Sequence, residues 1–498
     1  MEKSVLITGP AGSGKTAECL RICSEALERS TPGTILCLVP SAEAVRDMEK
    51  QLLLGGRRRG VLGPLATDFA GLALRIVKEG GFAPLHRIGL LEKRYLILRI
   101  LREAPLRFFG EVRDYEGFAD VVANFIAELK RGMISPEDFL EGCLAAGGRG
   151  GIAGDKVREL HAIYAAYHDT LKRAEAYDAD GLQWKAAELL AADPSLLSRV
   201  NVLLVDGFAT YTPVEFRILT HLVERARESH ITLCYEDERP EVFGFVEGTY
   251  ASLRKLCTAT KVASSGERRP VQALVHLERT LFGEPNNGMS AGAAVSIIAC
   301  PDPYREVETV AREIERIRRE DGLRYGDFLV IFRDVNPYLR AIVEIFGDRR
   351  VPFFLPAPGC AAEEPFVRAV VSALQLLEGE FRRDNVLAVL KNSYLYADMD
   401  IAAAVENYAD EFGLWDEEHF RQTWTQAGET ADDAAPLNEQ KARFLEVLDR
   451  LRSEAAGISS AREFRRFVYR VIRELGLLNR SQNTGGECGP LPTDGVVF

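Results

Sequence analysis

Gly9-Pro10-Ala11-Gly12-Ser13-Gly14-Lys15-Thr16 sets glycines, a lysine and a threonine at a spacing suited to phosphate chemistry. The pattern is G-x-x-x-x-G-K-[ST], in which glycines let successive backbone N–H groups converge on phosphate oxygens. Gly9, Gly12, Ser13 and Gly14 shape the cradle, the Lys15 ammonium meets the β and γ phosphates, and the Thr16 hydroxyl ligates Mg²⁺. ATP with Mg²⁺ is the expected ligand. A partner carboxylate for the metal belongs at the end of another apolar strand. Val202-Leu203-Leu204-Val205-Asp206 supplies four hydrophobics and then an acid, which nominates Asp206. The next residue is Gly207, which has no group to orient or deprotonate water. Hydrolysis is therefore expected to be slow, and a glutamate at 207 to speed it.

These residues need a scaffold, and the flanking sequence describes one. Residues 4–9 read as a strand entering the glycine turn, and 15–28 as a helix with Leu20, Cys23, Ala26 and Leu27 at helical spacing. After the break at Thr31-Pro32-Gly33, Thr34-Ile35-Leu36-Cys37-Leu38-Val39 is a continuous apolar run, as in strands buried on both faces of a parallel sheet. This strand–helix–strand start opens a doubly wound α/β domain. Amphipathic helices are expected at 68–79, 89–103, 116–131, 155–175 and 181–192, with a glycine loop at 147–151, and together they read as a helical insertion. The sheet resumes at 200–206 and 230–235. Residues 283–290 combine Gly, Pro, Asn and Ser without periodicity and read as a linker. A second β-α-β unit is expected beyond it, with strands at 295–299 and 328–332 around a helix at 304–319. Helices follow to 478, interrupted by an acidic loop at 428–436.

The 498 residues allow several domains, and 47% hydrophobic with 27% charged residues is an ordinary globular balance. No run of eighteen apolar residues and no signal peptide is visible, so a cytoplasmic protein without membrane contact is expected. Nine cysteines are scattered singly. Cys19 and Cys23 share a predicted helix, but without further ligands nearby they read as buried thiols and not as a metal site. A net charge of −12 counts against an overall basic surface and leaves a local nucleic-acid channel open. Two arginine clusters bear on that. Arg57, Arg58 and Arg59 suit DNA phosphates and a solvated helix end equally. Arg462, Arg465, Arg466, Arg470 and Arg473 recur at helical spacing and read more readily as a solvated face balanced by nearby glutamates.

Taken in order, several stretches resemble the AddB family, the B subunits of bacterial AddAB-type ATP-dependent helicase–nucleases. They are the P-loop strand, the Ile35–Pro40 strand followed by Ser41, and Val205-Asp206-Gly207-Phe208 with Thr212-Pro213-x-Glu215. Gly117-Phe118 ahead of Ile126-Ala127-Glu128-Leu129-Lys130, and Tyr177-Asp178-Ala179-Asp180-Gly181-Leu182, add to the likeness. So do Arg305-Glu306-Val307-Glu308, Ile331-Phe332-Arg333-Asp334 and Val351-Pro352-Phe353-Phe354. The likeness covers residues 1–400, and the P-loop is its one stretch that is specific by itself.

The resemblance implies P-loop NTPase (RecA-like) lobes of parallel sheet with large helical insertions. Lobe 1A would take 1–60 and 200–282, insertion 1B 61–199, and a linker 283–293. Lobe 2A would open at 294–360, a 2B-like helical region would span 361–478, and 479–498 would be an irregular tail. Arg333 falls where the helicase relatives bring an arginine to the γ-phosphate; a solvated residue after a strand is an equal reading. Working motors of this descent carry Glu where this chain has Gly207, so the resemblance implies a non-motor, DNA-scanning subunit. Its implied partners are DNA and an AddA-like helicase–nuclease subunit in a heterodimer, acting in double-strand break repair and recombination. The family's nuclease domain and its four-cysteine iron–sulfur cluster are expected only in a C-terminal region missing from this sequence, which reads as an N-terminal fragment or truncated frame. Two other readings stand beside this one: a self-sufficient superfamily 1 DNA-dependent ATPase or helicase, and a P-loop kinase of a small molecule.

Overall fold

Parallel strands with helices on both sides must be apolar on both faces, and the central strands meet that demand. Strand β1 is Ser4–Gly9, β2 Ile35–Leu38, β3 Ala66–Thr67, β4 His86–Arg87, β5 Ala176–Tyr177, β6 Val202–Val205, β7 Glu228–Cys234 and β8 Ala259–Val262. Every residue of β2 and β6 is buried. Six strands form one sheet in the order β3-β2-β6-β7-β1-β8, and β4 and β5 form a separate pair. Among the described residues all the ladders are parallel; Ser4 pairs Ser229, Ile35 pairs Val202, and Val202 pairs Glu228.

The computed structural model describes residues 3–29, 33–55, 65–82, 86–146, 151–263, 271–283, 288–290, 292, 294–355, 365–391, 399–425 and 435–475. Arg57–Arg59, the loop at 147–150, most of the acidic stretch at 428–436 and the tail at 479–498 lie outside them. The chain divides into two compact units, Met1–Ile298 and Ala299–Phe498.

In the first unit the helices are α1 Lys15–Arg29, α2 Ala42–Gly55, α3 Phe69–Glu79, α4 Leu90–Glu103, α5 Glu116–Arg131, α6 Pro136–Ala145, α7 Gly151–Arg173 and α8 Ala179–Ala192. They continue with α9 Pro213–Arg225, α10 Pro240–Phe243, α11 Glu247–Leu256 and α12 Gln272–Thr280. Helices α3, α8 and α9 share a core with the sheet, where Leu72, Ile76, Ala186 and Ile218 meet Leu203 and Val205. Helices α4, α5 and α7 form a separate core around Ile97, Ile126, Tyr164 and Tyr167. Local chemistry fixes the ends: Asp68 and Asp178 cap α3 and α8, and Ser135 with Asp138 makes a capping box for α6.

The second unit holds α13 Pro303–Asp321, α14 Leu339–Asp348, α15 Pro365–Leu377, α16 Arg383–Leu390, α17 Met399–Phe412, α18 Glu417–Arg421, α19 Ala435–Ala455 and α20 Ala461–Glu474. Its later helices pack around Leu376, Tyr408, Phe420, Phe444 and Val471. The expected second β-α-β unit is not formed among the described residues. Its helix is present as α13, but residues 295–300 and 328–332 join no ladder. A strand exists only through a laterally hydrogen-bonded neighbour, and among the described residues none lies beside either run. Leu329 and Ile331 are each 83% exposed, so the 328–332 run is packed on one face only.

One buried ionic cluster joins two of the stretches that carried the resemblance. Lys130 of α5 lies 2.9 Å from Asp178 at the head of α8, and both are almost fully buried. Tyr167 of α7 donates to the other Asp178 oxygen at 2.8 Å, and Lys93 of α4 approaches it at 3.5 Å. Burial, the largest single influence, pushes the Asp178 carboxyl up, but the Lys130 and Lys93 ammoniums and the Gly181 N–H together hold it below the usual carboxylate range. Removing one partner of such a pair leaves a buried charge uncompensated. Asp178→Ala should cost about 3–5 kcal/mol of stability at neutral pH, read by urea unfolding. A carboxylate with a depressed folded pKa contributes above its unfolded value of about 3.9 and stops contributing as pH falls through the folded value. The difference between wild type and variant should therefore shrink in acid, and a pH-independent difference would contradict the charge assignment.

Candidate functional site

Strand β1 ends at Gly9, where φ is +152°. A Cβ there would sit 2.6 Å from Ser13 Oγ and 3.1 Å from Ser13 Cβ, so the angle and the crowding together favour glycine. Gly12 and Gly14 also hold positive φ, at +76° and +87°, and α1 begins directly after them. Among the described residues the N–H groups of Gly12, Gly14, Lys15 and Thr16 have no hydrogen-bond partner, while Ser13 N–H donates to Pro10 O at 3.3 Å. Unpaired donors gathered at a helix start form an anion cradle. The Lys15 ammonium lies over the same loop. It donates to Pro10 O at 2.7 Å, Gly9 O at 2.9 Å and Ser13 Oγ at 3.3 Å. These are neutral acceptors, which phosphate oxygens would outcompete for the ammonium.

Asp206 follows β6 and is 7% exposed. Its Oδ2 accepts from Thr16 Oγ1 at 2.8 Å, and its Oδ1 from Thr232 Oγ1 at 2.5 Å. Strand β7 lies between β1 and β6, so Thr232 occupies the middle strand between the glycine loop and the acid. The structure thus brings Thr16 and Asp206 together and adds Thr232, which the sequence does not nominate. The available signal is a lone hydroxyl inside the apolar run Ile231-Thr232-Leu233. A pair of hydroxyls on one carboxylate is a donor set suited to a hard cation and its water.

Gly207 has φ +87°, and a Cβ there would stand 3.3 Å from Pro40 Cδ. Its glycine identity is thus a backbone requirement, which the sequence does not reveal. A glutamate at 207 would carry strain as well as a carboxylate.

The other nominated residues fall elsewhere. Arg333 is exposed in the second unit, and its side chain has no ion pair or hydrogen bond among the described residues. Cys19 and Cys23 point into the core under the loop, with Cys23 Sγ 3.6 Å from Cys37 Sγ of β2. Burial raises the Cys19 thiol well above its ordinary pKa. Thr212 and Glu215 form the capping box of α9. Phe208 stacks on Tyr211 at 5.1 Å and meets Phe69 edge-on at 5.4 Å, which locks α3 against the end of β6. Tyr235, after β7, donates its N–H to Gly9 O at 3.2 Å and stacks on Tyr250 at 3.9 Å, bracing the loop from the neighbouring strand.

Residues 6–278, which contain this whole constellation, match the family described as "ADDB, N-terminal". The chain belongs to the AddB N-terminal family. Two similar relatives are named as the B subunit of an ATP-dependent helicase/deoxyribonuclease. That of Desulforamulus reducens is 27% identical over 96% of this chain and 44% of its own length. That of Pelotomaculum thermopropionicum is 29% identical over 90% of this chain and 40% of its own. The chain therefore spans less than half the length of these relatives. The AddB match includes the glycine loop, Asp206 and Thr232 and ends before α13, so Arg333 and α20 lie beyond it. No described helix is long and apolar enough to cross a membrane.

The backbone at Gly207 generates a test within the AddB-like unit. A non-glycine residue held at positive φ costs about 1–3 kcal/mol, so Gly207→Ala and Gly207→Glu should both lower the thermal midpoint. Calorimetry on the two variants reads this directly. Midpoints equal to wild type would mean that the turn relaxes and the glycine is dispensable.

Proposed function

We propose that this chain is the ATP-binding, helicase-like N-terminal portion of an AddAB-type helicase–nuclease, acting on DNA without serving as its motor. The observation that carries the reading is the Thr16–Asp206 hydrogen bond, which joins a complete P-loop to the acid of a distant strand in the same sheet. Gly9, Gly12, Ser13, Gly14 and Lys15 would hold the phosphates, and Thr16 with Asp206 would hold Mg²⁺. When bound, Mg²⁺ neutralises charge on the phosphates. Thr232 orients Asp206 from the neighbouring strand, and Tyr235 steadies the carbonyl of Gly9. No side chain at 207 takes a proton from water, which supports slow turnover beside intact binding. Arg333 is proposed as a γ-phosphate ligand of a second lobe.

The names of the relatives support DNA as substrate and a second, AddA-like subunit as partner. Double-strand break repair and recombination in the cytoplasm are the setting that this reading proposes. The relatives' additional length is where a nuclease domain and iron–sulfur cluster would reside.

Lys15→Ala should abolish binding of a fluorescent ATP analogue, since the ammonium lies against three acceptors of the loop. Unchanged affinity would sink the nucleotide assignment. Single-turnover hydrolysis at saturating ATP should run well below about 1 s⁻¹, because a positioned base contributes typically 10²–10⁴-fold. Faster turnover would favour a self-sufficient ATPase.

A further inference from the structure

Helix α20 buries Phe467 and Val471, with Leu475 just past its end, in the core of the second unit and turns its opposite side to solvent. That outer side carries Arg462, Arg466, Tyr469 and Arg473, separated by four, three and four residues, which aligns them along one stripe. Arg465 and Arg470 flank it. The sequence favours neutralisation of this face by nearby glutamates, and the structure shows where those glutamates go. Glu463 turns back to cap Ser459 and Ser460. Glu474 pairs with Arg450, and Glu454 takes Arg470 at 2.5 Å. Arg462, Arg465, Arg466 and Arg473 are exposed, and among the described residues their side chains have no ion pair or hydrogen bond.

Two features set this face apart from an ordinary solvated one. Arg462 stands in the first turn of the helix, where the helix dipole opposes positive charge, and Arg465 and Arg466 follow one turn behind it. Tyr469 stands among the arginines with 65% of its surface exposed. A membrane is a poor occupant, because the apolar side that would enter lipid is already in the core.

We propose that the outer face of α20 binds single-stranded nucleic acid, with the arginines on successive phosphates and Tyr469 as a stacking surface for a base. Along the helix the stripe rises by about 6, 4.5 and 6 Å between successive members, a spacing that follows an extended backbone. An exposed aromatic within a basic track is the arrangement that strand-binding proteins use without sequence preference. The proposal rests on the reading that this protein meets DNA, and it does not depend on the nucleotide site.

The test is binding of a labelled oligothymidine by the whole chain across a salt series. Neutralising Arg462, Arg466 and Arg473 together with glutamine should flatten the log–log salt slope by about 2, at roughly 0.7 per phosphate contact. Tyr469→Ala should weaken binding about fivefold or more with the slope unchanged. Lys15→Ala should leave both intact while losing the ATP analogue, which separates this site from the nucleotide reading. If the triple variant is misfolded by circular dichroism, the single glutamine variants carry the same test, each with a slope change near 0.7. Wild-type slope and affinity in the triple variant overturn the proposal. So does binding to phosphatidylserine vesicles that depends on these arginines while oligothymidine binding does not. A wild type that ignores oligothymidine but binds the ATP analogue overturns this site alone and leaves the P-loop assignment standing.

Discussion

Both oxygens of the Asp206 carboxylate are engaged by threonine hydroxyls in a nearly dry setting, and much of the first unit is arranged so that this is so. Hydrogen bonds to an ionised acceptor contribute about 1.5–3 kcal/mol each when buried. They require β1, β7 and β6 to lie side by side in parallel, since Thr16 follows β1, Thr232 belongs to β7 and Asp206 follows β6. Parallel neighbours cannot be joined by tight turns, so each connection must travel through helices. Only such a topology lets residues so distant in sequence share one carboxylate at the carboxyl edge of the sheet, where open α/β sheets place their ligands.

The same constraint explains why the glycine loop is readable from sequence and its supports are not. The glycine loop is a local string, and β2 and β6 are unbroken apolar runs, so both can be recognised without a partner. Thr232 is significant only once β7 is known to separate β1 from β6. Lys130 and Asp178 each look like surface residues on amphipathic helices until α5 and α8 are brought together. The two-residue strands β3, β4 and β5 are too short to display any period at all. Helix α6 is a different kind of miss, because Ser135-Pro136-x-Asp138 is a readable start signal that lies in a gap between stronger patterns. Gly207 reads in the sequence as a lost carboxylate, whereas its backbone angle makes it first a turn residue.

The second unit shows the limit from the other direction. Residues 328–332 have the composition of a buried strand, yet among the described residues they pair with nothing, and Leu329 and Ile331 face outward. Phe328 and Phe332 do pack against α13 and α14, in a core with Val307, Ile342 and Phe346. Intrinsic preference and one packed face are therefore both present, and they are not enough. β-structure is a property of the pair, and a sequence window contains only one member of it.

Charge follows the same logic of partners. A net −12 suggests a chain that repels polyanions, but the number averages over residues that neutralise one another locally. On α13, Arg305, Arg312 and Arg316 are tied to Glu308, Glu313 and Glu320 one turn away, so that helix is densely charged and electrically bland. Helix α20 has as many arginines, but its own glutamates go to a cap and to Arg450 of α19. Opposite charges three or four residues apart cancel at a separation well inside the screening length, whereas a stripe of one sign projects a field about 8–10 Å into solvent. What distinguishes the two helices is where each glutamate spends its oxygens, and that is decided by the fold around it.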